Sequence, residues 1–131
     1  MFVTDTHPLI WYSNGRFSLL SKKVLRIFEK AARSETVIYV PSVVLWEAAN
    51  LENIGKIKLA DGFERWASRV MDKPAFLLTE LEIGIISQAM GYGFIQDPFD
   101  RAIVATASEM NLPLITKDVA ITESNLVEVY W

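Results

Sequence analysis

The sequence predicts an α/β fold built on a central parallel sheet, on three observations. Short runs rich in β-branched and apolar residues alternate with longer stretches of helical periodicity, the pattern of βα units around a parallel sheet. The chain has 131 residues, 51% hydrophobic and 22% charged, enough for one core that buries about two-thirds of the unfolded surface without metals or disulfides as staples. Acidic residues fall where the strands end, at the rim where open α/β sheets bind their ligands.

The elements follow in order. MFVTD reads as a short strand running into a turn. Residues 18–33, SLLSKKVLRIFEKAAR, set Leu20, Val24, Ile27, Phe28 and Ala31 at helical spacing. TVIYV at 36–40 is a buried strand closed by Pro41, and Ser42 caps the helix VVLWEAANLEN, which ends near Gly55. ADGFERWASRVM is a further helical stretch with Phe63, Trp66 and Val70 on one face, broken at Lys73-Pro74. AFLLT at 75–79 reads as a third strand, and ELEIGIISQAMG as a helix that stops at Gly91 and Gly93. DPFDR at 97–101 opens the next helix. Asp97 suits the N-cap, Pro98 the first position, and Asp100 the third, where its carboxylate can reach back to orphan amides. LPLIT is a strand, followed by Lys117 and Asp118, a short helical or loop segment and a last strand at LVEVYW.

Composition narrows the function. There is no Cys, so no disulfide framework, thiolate metal site or cysteine nucleophile, and MFVTDTH lacks the basic start and apolar run of a secretion signal; a cytoplasmic protein is expected. No apolar run approaches the roughly 18 residues of a membrane span. The formal net charge of −3 is not the basic footprint of a protein that holds nucleic acid by phosphate neutralisation alone. If nucleic acid is bound, another source of positive charge is required.

On this layout Asp5 ends the first strand, Asp97 and Asp100 open a helix, and Asp118 follows the LPLIT strand. Glu47 interrupts the apolar run of Val43, Val44, Leu45, Trp46 and Ala48, where a charge must be exposed, paired or bound to a cation. Each has a local role open to it, as a cap, turn residue or solvated stripe. Brought together at one sheet edge, four or five carboxylates would repel one another unless a divalent cation compensated. An oxygen-only set, with no Cys and a single His, suits Mg²⁺ or Mn²⁺ better than zinc.

TDTHPLIW at 4–11, PSVVLWEAANLENIGKIKL at 41–59, DPFDRAIVATA at 97–107 and LITKD at 114–118 resemble, in order, the motifs of PIN-domain ribonucleases, specifically the VapC-type toxins of toxin–antitoxin pairs. The resemblance runs from Phe2 to Tyr130-Trp131, so one PIN domain over residues 1–131 is expected, a three-layer α/β/α sandwich with a central parallel sheet. It implies metal-dependent cleavage of RNA with Mg²⁺ or Mn²⁺. Asp5, Glu47 and Asp100 match the main acidic triad, Asp118 its fourth member, Thr116 the nearby hydroxyl position and Asp97 the extra aspartate of the DPFDR variant. It further implies a homodimer silenced by an antitoxin protein, whose peptide occupies the acidic groove and inserts an arginine. Relatives often carry His just before DPFDR. Here Phe94, Ile95 and Gln96 stand there, which leaves that loop without a histidine for substrate binding.

Secondary candidates are His7 beside Asp5, and Lys56, Lys58, Arg101 and Lys117 as phosphate contacts. Lys22, Lys23 and Arg26 form either an RNA-facing patch or a solvated helix face. Trp11, Trp46 and Trp66 are expected in the core or an interface rather than as base-stacking platforms. Two rivals stand beside the nuclease: a catalytically inactive PIN-like module for RNA binding or protein interaction, and a phosphate-receiver domain. The receiver would show an acidic pair after the first strand, where MFVTDT offers only Asp5.

Overall fold

The computed structural model describes residues 1–131. β1 (Phe2–Thr4) leads straight into α1 (Thr6–Ser13), and a 3₁₀ turn at Phe17–Leu19 precedes α2 (Lys22–Ala32). Then come β2 (Ile38–Pro41), α3 (Ser42–Asn53), α4 (Phe63–Met71), β3 (Phe76–Thr79) and α5 (Ile83–Met90). α6 (Pro98–Met110), β4 (Leu114–Ile115), α7 (Val119–Ser124) and β5 (Val129–Tyr130) complete the chain. All strand pairs are parallel, in the order β3-β2-β1-β4-β5.

That order decides where a site can form. From β1 the chain builds outward through β2 to β3, then crosses back to β4 on the other side of β1 and continues outward to β5. The direction of winding reverses between β1 and β4, and a crevice opens beyond their carboxyl ends. Asp5 N–H donates to the Ile115 carbonyl (3.0 Å), so the ladder still holds the two chains side by side at that edge.

The sheet is covered on both faces. Successive residues Val3 and Thr4 of β1, and Leu114 and Ile115 of β4, are all fully buried, which alternating side chains allow only when helices pack above and below. The result is the α/β/α sandwich. α6 shows its cost in sequence pattern: Ala102 to Ala107 are buried without a break, because this helix packs on β1, α3 and α5 together and keeps no solvent stripe over that turn and a half. At the other end of the sheet Tyr12, Phe28 and Phe76 stack, with centroids 4.7 Å and 6.3 Å apart along the series.

The structure departs from the sequence expectations in several places. The turn expected after MFVTD is the eight-residue helix α1. Its Pro8 sits in the first turn, where a missing N–H has no intrahelical partner to lose, and its apolar residues ring the helix too evenly to show a period. Ser42 does not cap α3; Pro41 holds the N-cap without a side-chain bond, and Ser42 is the first helical residue. α2 begins at Lys22, where Ser21 accepts from Val24 N–H (3.2 Å), rather than at Ser18. α5 starts at Ile83, three residues later than ELEIG suggested. Trp66 is buried as expected, whereas Trp46 lies outside the core, 61% exposed and edge-on to Phe99 at 5.1 Å. No helix is long and apolar enough to cross a membrane.

Candidate active site

Five carboxylates meet at the crevice. Asp5, Glu47, Asp97, Asp100 and Asp118 line one cavity of about 570 Å³, together with His7, Trp11 and Lys117. Asp5, Glu47 and Asp100 approach most closely, each offering an oxygen within 4.8 Å of the others. They come from the end of β1, the middle of α3 and the first turn of α6.

Three of the five are helix caps. Asp5 Oδ1 accepts from Thr6 N–H at 2.7 Å, Asp97 Oδ1 from Phe99 N–H at 2.8 Å, and Asp118 Oδ1 from Ile121 N–H at 2.8 Å. Capping orients the carboxylate and uses one oxygen, so the local role and a site role coexist. Thr116 joins two of them. Its hydroxyl donates to Asp5 Oδ2 (2.7 Å) and accepts from Asp118 N–H (3.0 Å), which fixes the end of β1 against the segment after β4. Asp100 differs. It stands in the first turn of α6 with no hydrogen bond, so the expected capping box is absent and its carboxylate is free for another partner.

Burial and mutual repulsion make the site expensive to ionise. Asp100 is pushed up to about 8, first by burial and then by the charges of Asp5, Asp97, Glu47 and Asp118. Glu47 rises to about 7, again mainly by burial. Asp5 also lies above its ordinary value because of burial, offset in part by its bonds from Thr116 and Thr6. The Thr6 hydroxyl beside Glu47 lowers its pKa somewhat but makes no well-formed hydrogen bond, and Thr6 Oγ1 remains a buried polar atom without a partner. Neither of the chain's two ion pairs, Arg33–Glu35 and Arg69–Asp61, involves the cavity.

The donor set fits a hard divalent cation. All close donors are oxygens, and their 4.8 Å spread is near the about 4.2 Å between opposite ligands of an octahedral Mg²⁺ with bonds of about 2.1 Å. A cation there would replace the protons that Asp100 and Glu47 otherwise retain.

Other sequence candidates divide. His7 is exposed at the rim, its ring 5.7 Å from that of Trp11, and Lys117 Nζ lies 4.6 Å from the Trp11 ring. Arg101 points elsewhere: its guanidinium donates to the Ile95 and Gln96 carbonyls and so anchors the segment before α6 instead of facing the cavity. Lys56 and Lys58 line a different groove, and Lys22, Lys23 and Arg26 lie on α2, outside the cavity wall. Thr6 and the placement of Trp11 escaped sequence reasoning because both depend on α1.

Residues 2–123 match the family model of the PIN domain. The chain belongs to the PIN domain family. No curated protein matches its sequence. Among solved structures this PIN domain is similar to VapBC2 from Rickettsia felis bound to a DNA fragment from its promoter, at 14% identity and a TM-score of 0.70, covering 99% of this chain and 98% of that one. It is also similar to VapC20 from Mycobacterium tuberculosis, a Sarcin-Ricin loop cleaving toxin, with 13% identity, a TM-score of 0.67 and 98% of each chain covered. FitAcB from Neisseria gonorrhoeae aligns at 16% identity with a TM-score of 0.65, over 100% of this chain and 97% of the other. At these identities the likeness is one of fold.

Proposed function

We propose that this PIN domain is a Mg²⁺- or Mn²⁺-dependent endoribonuclease that acts as the toxin of a toxin–antitoxin pair. One observation carries the reading: three carboxylates from three separate elements, Asp5 and Glu47 buried and Asp100 half-buried, offer oxygens within 4.8 Å of one another, with no cation of the chain paired to them. A fold alone needs no such cluster, and the cluster opposes folding while its charges are unbalanced.

Asp5, Glu47 and Asp100 would hold the cation, with Asp118 as the fourth acidic member. When bound, a divalent ion acidifies a coordinated water and balances charge developing on phosphate oxygens. The chain supplies the rest. Thr116 fixes the rotamer of Asp5 and the approach of Asp118, and Asp97 holds the first turn of α6 so that Asp100 projects from a rigid start. Lys117, the one lysine or arginine on the cavity wall, suits contact with a substrate phosphate. The antitoxin assignment is supported by a toxin–antitoxin complex from Klebsiella pneumoniae among the structural neighbours, similar at a TM-score of 0.63 and 18% identity. An acidic cavity of this kind suits an arginine from such a partner, whose fork matches carboxylate geometry.

Cleavage of a mixed single-stranded RNA tests the activity. Removal of divalent ions with EDTA should abolish it and Mg²⁺ or Mn²⁺ restore it, while Asp5→Asn and Glu47→Gln each lower the rate by orders of magnitude at unchanged folding. RNA binding without any metal-dependent cleavage would instead support the inactive binding module.

A further inference from the structure

Beside the acidic cavity runs a second groove of opposite character, about 470 Å³ in volume, and the two share Trp11 as a common wall. Arg16, Lys56 and Lys58 line it, and no acidic residue does. None of the three cations is in an ion pair.

The groove is a built feature with two similar walls. α1 and α3 each end in the same left-handed glycine turn: Gly15 has φ 73° and Gly55 φ 77°, conformations in which a side chain would be strained. After each glycine the next N–H returns to the helix, Arg16 to the Trp11 carbonyl (2.7 Å) and Lys56 to the Leu51 carbonyl (2.9 Å). The walls are tied together by Asn14 Nδ2, which donates to the Lys58 carbonyl at 2.9 Å. The loop carrying the lysines is pinned from behind, where the Glu52 carboxylate accepts from Leu59 N–H and Phe63 N–H at 3.0 Å each. Glu52 therefore spends its oxygens on backbone amides rather than on Lys56 or Lys58.

Basic residues after a helix end can serve only to offset its dipole, and magnitudes decide between that role and a ligand. Two helix C-termini bring about −0.5 charge each, against three full positive charges, so the groove keeps roughly two units of positive charge. A surface with that surplus, next to a phosphodiester-cleaving site in a chain of net charge −3, is placed to hold polyanion.

We propose that the groove between the ends of α1 and α3, entered over Trp11 and carrying Arg16, Lys56 and Lys58, holds the backbone phosphates of the single-stranded RNA segment adjoining the scissile bond. The proposal rests on the ribonuclease reading of the acidic cavity. Trp11 stands where the RNA strand passes from one compartment to the other, as the wall common to both. A substrate long enough to occupy both compartments gains affinity that a dinucleotide does not.

The test compares the unaltered protein with R16A/K56A/K58A, all exposed positions, on two substrates: a dinucleotide and a labelled single-stranded RNA of about ten nucleotides. The triple change should raise KM for the longer RNA tenfold or more and leave kcat nearly the same, with dinucleotide turnover unaffected. The log–log salt dependence of binding, measured by fluorescence anisotropy in the Asp100→Asn background where nothing is cleaved, should become shallower by about two units, as expected for three phosphate contacts. An unchanged KM and salt slope overturns the proposal. So does a triple variant that loses binding of an acidic peptide while handling RNA normally, which would make the groove a protein dock. Failure of the nuclease reading is distinguishable: no protein would cleave, yet anisotropy would still report whether the groove binds RNA.

Discussion

Asp100 is the residue on which the electrostatics of the site turn. In the metal-free protein it keeps its proton to about 8 and Glu47 to about 7, while in the unfolded chain both release it near their ordinary values of 3.8 and 4.5. Between those limits the folded state binds more protons than the unfolded one, so stability falls as pH rises from about 4 to about 8. Asp100→Asn removes the most strongly shifted group and relieves its neighbours. It is expected to raise the Tm of EDTA-treated protein by several degrees near pH 8 and to flatten the pH dependence; a Tm indifferent to pH, or a variant less stable than its parent, would show that the carboxylates do not repel as described. Thr116 works through Asp5 and the Asp118 amide. Thr116→Val keeps the shape and removes both hydrogen bonds, so a loss of about 10- to 100-fold in metal affinity is expected, read by titration with Mn²⁺.

At the scale of elements, α6 shows how a helix start and a site are made from the same residues. Asp97 caps it through the Phe99 amide, so Asp97→Asn should leave thermal stability within a few tenths of a kcal/mol, and Asp97→Ala should cost about 1 kcal/mol, roughly 4 °C in Tm for a domain of this size. Equal losses for both substitutions would mean that the charge, and not the cap, is what Asp97 contributes. The same element explains what could be read from sequence. DPFDR announced a helix because cap, proline and first-turn acid are local signals, and Glu47 was conspicuous because it breaks an apolar run that β and helix packing would otherwise fill. α1 gave no such sign. Its buried Pro8, Leu9 and Ile10 follow one another without helical spacing, since β1 runs into it without a loop and its neighbours enclose it. With α1 unseen, the orphan hydroxyl of Thr6 and the position of Trp11 between two grooves could not be anticipated. The convergence of Asp5 with Asp118 was legible, because both follow strands that a parallel sheet brings to one edge.

For the whole molecule, charge is divided rather than merely acidic. Setting aside the five carboxylates and Lys117 of the cavity leaves 12 basic residues against 11 acidic ones from totals of 13 and 16, so the cavity carries a formal −4 and the rest of the chain +1. A bound divalent ion offsets half of the cavity's charge, which weakens the objection that composition raised against nucleic acid. The outer surface also carries Ile83, Ile86 and Met90 along one exposed side of α5, at 87%, 46% and 78% exposure. An apolar helix face of this kind suits the homodimer that the resemblance to VapC-type toxins implies. Sedimentation at micromolar concentration should give a dimer, shifted toward monomer by Ile83→Glu with Met90→Glu; a parent protein that is monomeric throughout would contradict the dimer. That the acidic cavity is a divalent-cation site is tested most directly by calorimetric titration of Mn²⁺ near pH 7 in buffers of different ionisation enthalpy. Binding should release roughly one proton or more per ion, because the cation displaces protons held by Asp100 and Glu47, and Asp100→Asn should abolish both heat and release. Absence of binding, or binding that Asp100→Asn leaves intact, would contradict it.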